Sequence, residues 1–228
     1  MQPLTKRVIL IIVFSLAASV QGIHAQDSRY DYNYDSLARQ LDKTQTDTER
    51  IKLLTLLVDL APEVGVSFPT EKTIAYLMRL IQYNKKVQVI DDAPYEMLLE
   101  GYTAWQKGAL AEALDDFKKA VALFDQEKKA MVKLLSMMRL LFNQLNQLEE
   151  RYKYYKEKLD YYVINGPVEN TAACYHSIAG YYTYRGDYNL AISNYLKVAS
   201  IVKNFSTRFY RSFYYNEIVA AGKYYSIW

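Results

Sequence analysis

A spacing of about 40 residues between three turn-forming positions constrains this chain most, because self-similarity at such a period dictates a repeat architecture. Gly108, Asn146 and Gly186 each stand two residues ahead of a Leu or Tyr (Leu110, Leu148, Tyr188). An aromatic residue follows seven positions further on, at Phe117, Tyr155 and Tyr195. Apolar residues at three- and four-residue intervals flank the turns, which is the signature of amphipathic helices. No later helix-length segment alternates in the strict strand manner, and 8 Gly and 5 Pro in 228 residues are too few for the turns of a sandwich or barrel. The fold expected is all-α.

Upstream of the repeats the text is also helical. Leu37 and Leu41 lie four apart in a short helix that begins at Ser36. Thr46-Asp47-Thr48-Glu49 reads as a capping box, opening a helix with Ile51, Leu54, Val58 and Ala61 on one stripe and Pro62 at its end. Ser67-Phe68-Pro69-Thr70 opens another, whose expected stripe is Ile74, Leu77, Met78 and Ile81.

The repeated segments resemble tetratricopeptide repeats. Gly101, Gly108, Ala113, Phe117 and Ala120 match the family's pattern of small and aromatic residues in the first. Ala179, Tyr182, Gly186, Ala191 and Tyr195 match it in the third, with Val198 where Ala is usual. The middle segment departs from it, carrying Arg151 and Lys158 where small residues are expected. The resemblance covers roughly residues 92–203 and implies a right-handed superhelical solenoid of antiparallel helix hairpins. Residues 204–228 resemble the first helix of a further, incomplete repeat, with Ala221 at the small position.

In that family the first helix of each hairpin lines a concave groove. Carried onto this sequence, the groove-facing positions are Tyr95, Leu98, Tyr102, Trp105 and Gln106 in the first clear repeat. The divergent repeat offers Lys133, Ser136, Asn143 and Gln144; the third offers His176, Thr183 and Tyr184; the half-repeat offers Tyr215 and Tyr225. Such a face is rich in rings and amides and suits an extended peptide or a helix. With 23 Tyr in the chain, the alternative use of Tyr95, Tyr102 and Trp105 is packing between hairpins, and a third is stacking on sugar rings. Leu98 and Tyr102 replace groups that clamp a peptide carboxylate in some family members, which disfavours that mode.

The N-terminus has the three-part grammar of a secretory signal peptide: Lys6 and Arg7, an apolar run of 13 residues from Val8 to Val20, and small residues up to Ala25. The run is short of the ~20 residues that span a bilayer. Cleavage near Ala25 is expected, leaving a periplasmic or secreted product with no membrane span. The stretch YDSLARQLDKTQTDTERIKLLTLLVDLA that follows resembles the extracytoplasmic start of Bacteroidetes-type sensor histidine kinases and regulators. That resemblance implies a sensing or input role. The organisation read from the sequence is therefore a signal peptide at 1–25, a flexible lead-in at 26–35, and an N-terminal helical region at 36–91. The repeat array follows at 92–203 and the incomplete repeat at 204–228.

Catalytic groupings are scarce. Beyond the signal peptide stand one histidine, His176, and one cysteine, Cys174, about 200° apart around a helix. They offer neither a nucleophile–base pair nor a zinc site. No phosphate-binding Gly motif occurs, and Asp115-Asp116 and Glu149-Glu150 are sequence neighbours that face apart on a helix. Without Lys6 and Arg7, the remaining basic side chains nearly balance the 25 acidic ones, so no nucleic-acid footprint exists. The expected role is binding a protein or peptide, without enzymatic activity, cofactor or metal, with self-association through the C-terminal helix as a further expectation. A stand-alone scaffold or assembly factor and a carbohydrate-binding accessory protein are the alternatives.

Overall fold

A computed structural model of the chain describes residues 34–60 and 71–204. Among them are nine α-helices: α1 (Tyr34–Lys43), α2 (Asp47–Leu60), α3 (Glu71–Val87), α4 (Ala93–Gln106), α5 (Leu110–Gln126), α6 (Val132–Gln144), α7 (Leu148–Asn165), α8 (Val168–Arg185) and α9 (Tyr188–Val202). The signal peptide, most of the lead-in, Ala61, Pro62, Tyr215, Tyr225 and nearly all of the incomplete repeat lie outside the described residues. Helix α1 begins two residues before the expected Ser36.

Local chemistry explains the helix ends. At the start of α2 the Glu49 N–H donates to the Thr46 hydroxyl at 3.4 Å. Asp47 and Glu49 place negative charge on the positive end of the helix dipole. The three turns expected from the sequence share one geometry. Gly108, Asn146 and Gly186 have φ of 80°, 57° and 77°. In each case the next residue's N–H reaches back five residues, to the carbonyls of Ala104, Phe142 and Tyr182, at 2.9 Å. These are Schellman caps, which occupy carbonyls that a helix terminus would otherwise leave unpaired. Lys128 adopts the same left-handed conformation after α5, with Lys129 N–H donating to Phe124 O at 3.1 Å.

The α3–α4 link is closed by a single buried amide. The Asn84 carboxamide donates to Ile90 O at 2.7 Å and to Asp92 Oδ1 at 2.9 Å, and its oxygen accepts the N–H groups of Val89 and Ile90. One side chain thereby saturates a loop that has no strand or helix to pair with.

Consecutive helices pack as pairs, α2 on α3, α4 on α5 and α8 on α9. The pair α6–α7 is looser, and α7 packs more closely on α8 than on α6. Helix α6 also lies against α5 and α8 and meets α2. Phe117 is fully buried, and a Cβ on Gly101 would come within 2.5 Å of its ring, so glycine is what permits α4 and α5 to approach. Ala113, Ala120, Ala179, Ala191 and Val198 are all fully buried, consistent with their expected small-residue role. On α3 the buried side is Thr73, Leu77, Leu80, Ile81 and Asn84. Met78, expected on that stripe, is exposed instead, because a helix turns it about 100° away from Leu77.

Candidate functional site

The side chains expected to line a groove divide into two groups. Tyr95, Leu98, Tyr102 and Trp105 are buried members of one continuous core, each less than 5% exposed, and His176 is buried too. Gln106, Asn143, Gln144 and Tyr184 are exposed at the ends of α4, α6 and α8, and Thr183 is half-buried with its hydroxyl donating to Ala179 O. The aromatic face is thus closed, and packing between hairpins is the use these rings have. The Tyr102 ring meets Phe117 edge-on at 5.2 Å and its hydroxyl lies 3.0 Å from Met137 Sδ. Trp105 meets the other side of Phe117 at 6.2 Å, and His176 lies edge-on to Tyr195.

At the Tyr95 end of this face a charged junction joins α2 to the α5–α6 link. Lys129 Nζ pairs with Asp59 Oδ2 at 3.2 Å and donates to the Tyr95 hydroxyl at 2.8 Å. It also lies 4.7 Å from the ring centres of both Tyr95 and Phe124. Lys133 Nζ donates to Val58 O at 3.1 Å. Burial pushes the Asp59 carboxyl up, against the opposing pull of Lys129. On Lys129 burial is the largest single influence and lowers the pKa, but Asp59 and Tyr95 together outweigh it and leave the ammonium above its usual value. The cavity left beside Leu98 and Tyr102 is about 20 Å³, room for a water and nothing larger. Asn170, at the start of α8, holds the link from the far side. Its oxygen accepts Met131 N–H at 2.7 Å and its amide donates to Lys129 O at 3.0 Å.

The divergent repeat absorbs its two long cations differently. Lys158 pairs with Asp125 Oδ2 at 2.5 Å, and the Tyr162 hydroxyl donates to the other oxygen of Asp125 at 2.7 Å. Arg151 is only 3% exposed. It donates to the Asn143 carboxamide from one nitrogen, while its Nε and Nη2 have no hydrogen-bond acceptor. Burial, aided by the Arg139 charge, pulls its pKa down to about 10. Gly180 faces the guanidinium, and a Cβ there would meet Nη2 at 3.9 Å, an ordinary contact distance.

A groove that the sequence did not announce lies between α7 and α9, floored by α8. It encloses about 520 Å³. Leu159 and Ile178 form its buried floor, and Val163, Ile164 and Leu190 stand on its rim at 60%, 80% and 49% exposure. At one end Tyr152 stacks on Tyr181 at 4.4 Å, and the Tyr152 and Tyr182 hydroxyls bond each other at 3.2 Å. Two lysines border the groove. Lys156 is bound to Asp160 by two contacts of 2.5 and 2.8 Å, whereas Lys197 lies 4.8 Å from the Tyr175 ring centre. The available signal was the make-up of α7, where Tyr152, Tyr154, Tyr155, Leu159, Tyr161, Tyr162, Val163 and Ile164 surround the helix. A helix apolar on more sides than its neighbours cover leaves apolar surface over.

Among the described residues no cluster of side chains suits a metal ion, and no helix is long and apolar enough to cross a membrane. Comparison with protein-family models, curated proteins and solved structures returns no match.

Proposed function

We propose that this chain is a non-enzymatic protein-interaction module of the tetratricopeptide type that acts outside the cytoplasm and binds its partner in the α7–α9 groove. The observation that carries the reading is the pair Val163 and Ile164, largely exposed beside a buried apolar floor. Contiguous exposed apolar surface on a folded chain marks an interaction site more often than scattered single residues do. The repeated hairpin caps and the small residues beneath Phe117 support the repeat type, and the basic–apolar–small pattern of residues 1–25 supports export. An input role in signalling rests on the resemblance of the stretch after the signal peptide. The carbohydrate reading is weakened because Tyr102 and Trp105, its stacking platform, are buried.

Site-specific photocrosslinking tests the reading. A photoreactive residue at Ile164 in the native host is expected to capture a discrete partner, while the same residue at exposed Glu112 on α5 is not. Equal patterns at the two positions, or none at Ile164, would remove the groove as the binding site. The mass and membrane association of the native product test the signalling role: a much larger, membrane-bound species is expected for an input region, and a free species of this chain's mass would leave a scaffold.

A further inference from the structure

We infer that the α7–α9 groove takes an amphipathic α-helix of a partner protein, one that carries an acidic residue placed to meet Lys197. The inference rests on the interaction reading above and names the partner's chemistry. The first argument concerns the backbone. Both walls and the floor are helices, whose own N–H and C=O groups are consumed along the helix axis, so no strand edge is offered to an incoming peptide. An extended segment pressed onto Leu159 and Ile178 would leave polar backbone groups without partners, at a cost for each. A helix brings its backbone already paired and presents side chains alone.

A proline-rich segment is the other backbone that needs no partner strand, but it docks on aromatic ridges whose polar tips bond its carbonyls. Here the Tyr152 and Tyr182 hydroxyls are turned on each other, and the accessible rim is aliphatic. The dimensions agree with a helix. From Tyr152 to Ile164 the groove follows α7 for about 18 Å, which is the length of about three helical turns. Apolar side chains at i, i+3 or i+4, and i+7 would lie along the floor.

Charge selects among helices. Asp160 neutralises Lys156 on the α7 side, while on the α9 side Lys197 lies over the Tyr175 ring. The net character of the rim is therefore cationic at α9. A carboxylate on the flank of the bound helix gains an ion pair there, whereas a lysine meets a like charge, an arrangement that rejects wrong partners.

The test uses the full mature chain and fluorescein-labelled, hydrocarbon-stapled 14-residue helices with Leu on one stripe, differing only by Glu or Lys at one flanking position. Fluorescence anisotropy is expected to show the Glu helix binding about tenfold more tightly at low salt, with the difference shrinking as salt is added. Lys197→Glu is expected to invert the preference, and Ile164→Asp to weaken both peptides while the circular dichroism spectrum stays unchanged. Equal binding of the two helices, binding indifferent to Ile164→Asp, or a proline-rich peptide bound as well as the Glu helix would each overturn the inference. So would a requirement to truncate the chain after Asn204 before any helix binds, since the occupant would then be its own C-terminal segment. A partner captured at Ile164 in cells with no charge preference in the peptide assay would leave the interaction reading standing and this inference fallen.

Discussion

The junction around Lys129 and the groove beside Lys197 are built from the same parts, a lysine over tyrosine rings next to apolar helix faces, yet one is shut and the other open. At Lys129 the chain supplies the missing carboxylate itself, Asp59 from α2, and the rings beneath are buried. Across the groove from Lys197 the acid of the facing wall, Asp160, is already bound to Lys156. What separates a core contact from a docking surface here is whether the sequence provides the counter-charge and the covering helix from within. On the function proposed above, that contrast sets a region of stability against a region of recognition, and each can be pressed separately.

The largest effect should come from alkali. Cys174 and the tyrosines at 154, 155 and 162 are all held above their ordinary values, burial being the leading cause in each. The folded chain therefore keeps protons that the unfolded chain releases once pH passes about 9 to 10. Stability is expected to fall as pH rises through and beyond that window, each group contributing up to about 1.4 kcal/mol for every unit of displacement. Tyr182 at the groove, raised to about 12 chiefly by its bond to Tyr152, adds to the loss with the same sign. Absorbance at 295 nm against pH reads the tyrosine titration, and circular dichroism alongside it reads the loss of fold. A single tyrosine transition centred near 10 with no loss of fold would contradict the burial assigned to α7.

Asn170→Ala comes next. It strips partners from Met131 N–H and Lys129 O together, and two buried backbone groups left unpaired should cost about 2–4 kcal/mol. Urea denaturation measures it; a loss below about 0.5 kcal/mol, the range of an ordinary surface substitution, would show that water replaces the amide and that the closed junction is not held from the α8 side. A smaller effect is expected from Asp59→Asn and Lys129→Met. Both side chains retain some exposure, 27% and 17%, so the pair should lie between surface and buried ion pairs, with a double-mutant coupling of about 1–2 kcal/mol. No measurable coupling would mean that apolar packing alone keeps α2 over Tyr95 and Tyr102.

The helical class and the turns were legible in the sequence because they depend on local chemistry. Gly108, Asn146 and Gly186 announce left-handed caps through residue types that tolerate positive φ. Lys128 gave no such notice: its conformation belongs to a link pinned by Asn170, roughly 40 residues away. The large rings of α4 were legible as important but not as buried, since the positions that face a groove and those that face neighbouring helices lie on adjoining stripes of one helix. Which stripe is covered depends on Phe117 of α5 and Met137 of α6, the latter in a helix whose register no local pattern encodes. The groove was hidden for the converse reason. It lies beside a helix, α7, that packs more closely on α8 than on α6, and that choice of neighbour is set by contacts between hairpins rather than by local pattern.

The smallest stability change should come from the surface on which the functional reading depends. Ile164→Ser and Val163→Ser remove apolar area that is already 80% and 60% exposed, so unfolding free energy should move by less than about 0.5 kcal/mol. The same substitutions should nevertheless abolish crosslinking from a neighbouring groove position such as Leu190, because a partner that buries these side chains loses the gain of removing them from water, about 25 cal/mol for each Å². If instead the serine variants are destabilised by 1 kcal/mol or more, the two side chains are covered within the chain itself. The open region would then be a second closed one, and the distinction between the two ends of the molecule would fall with it.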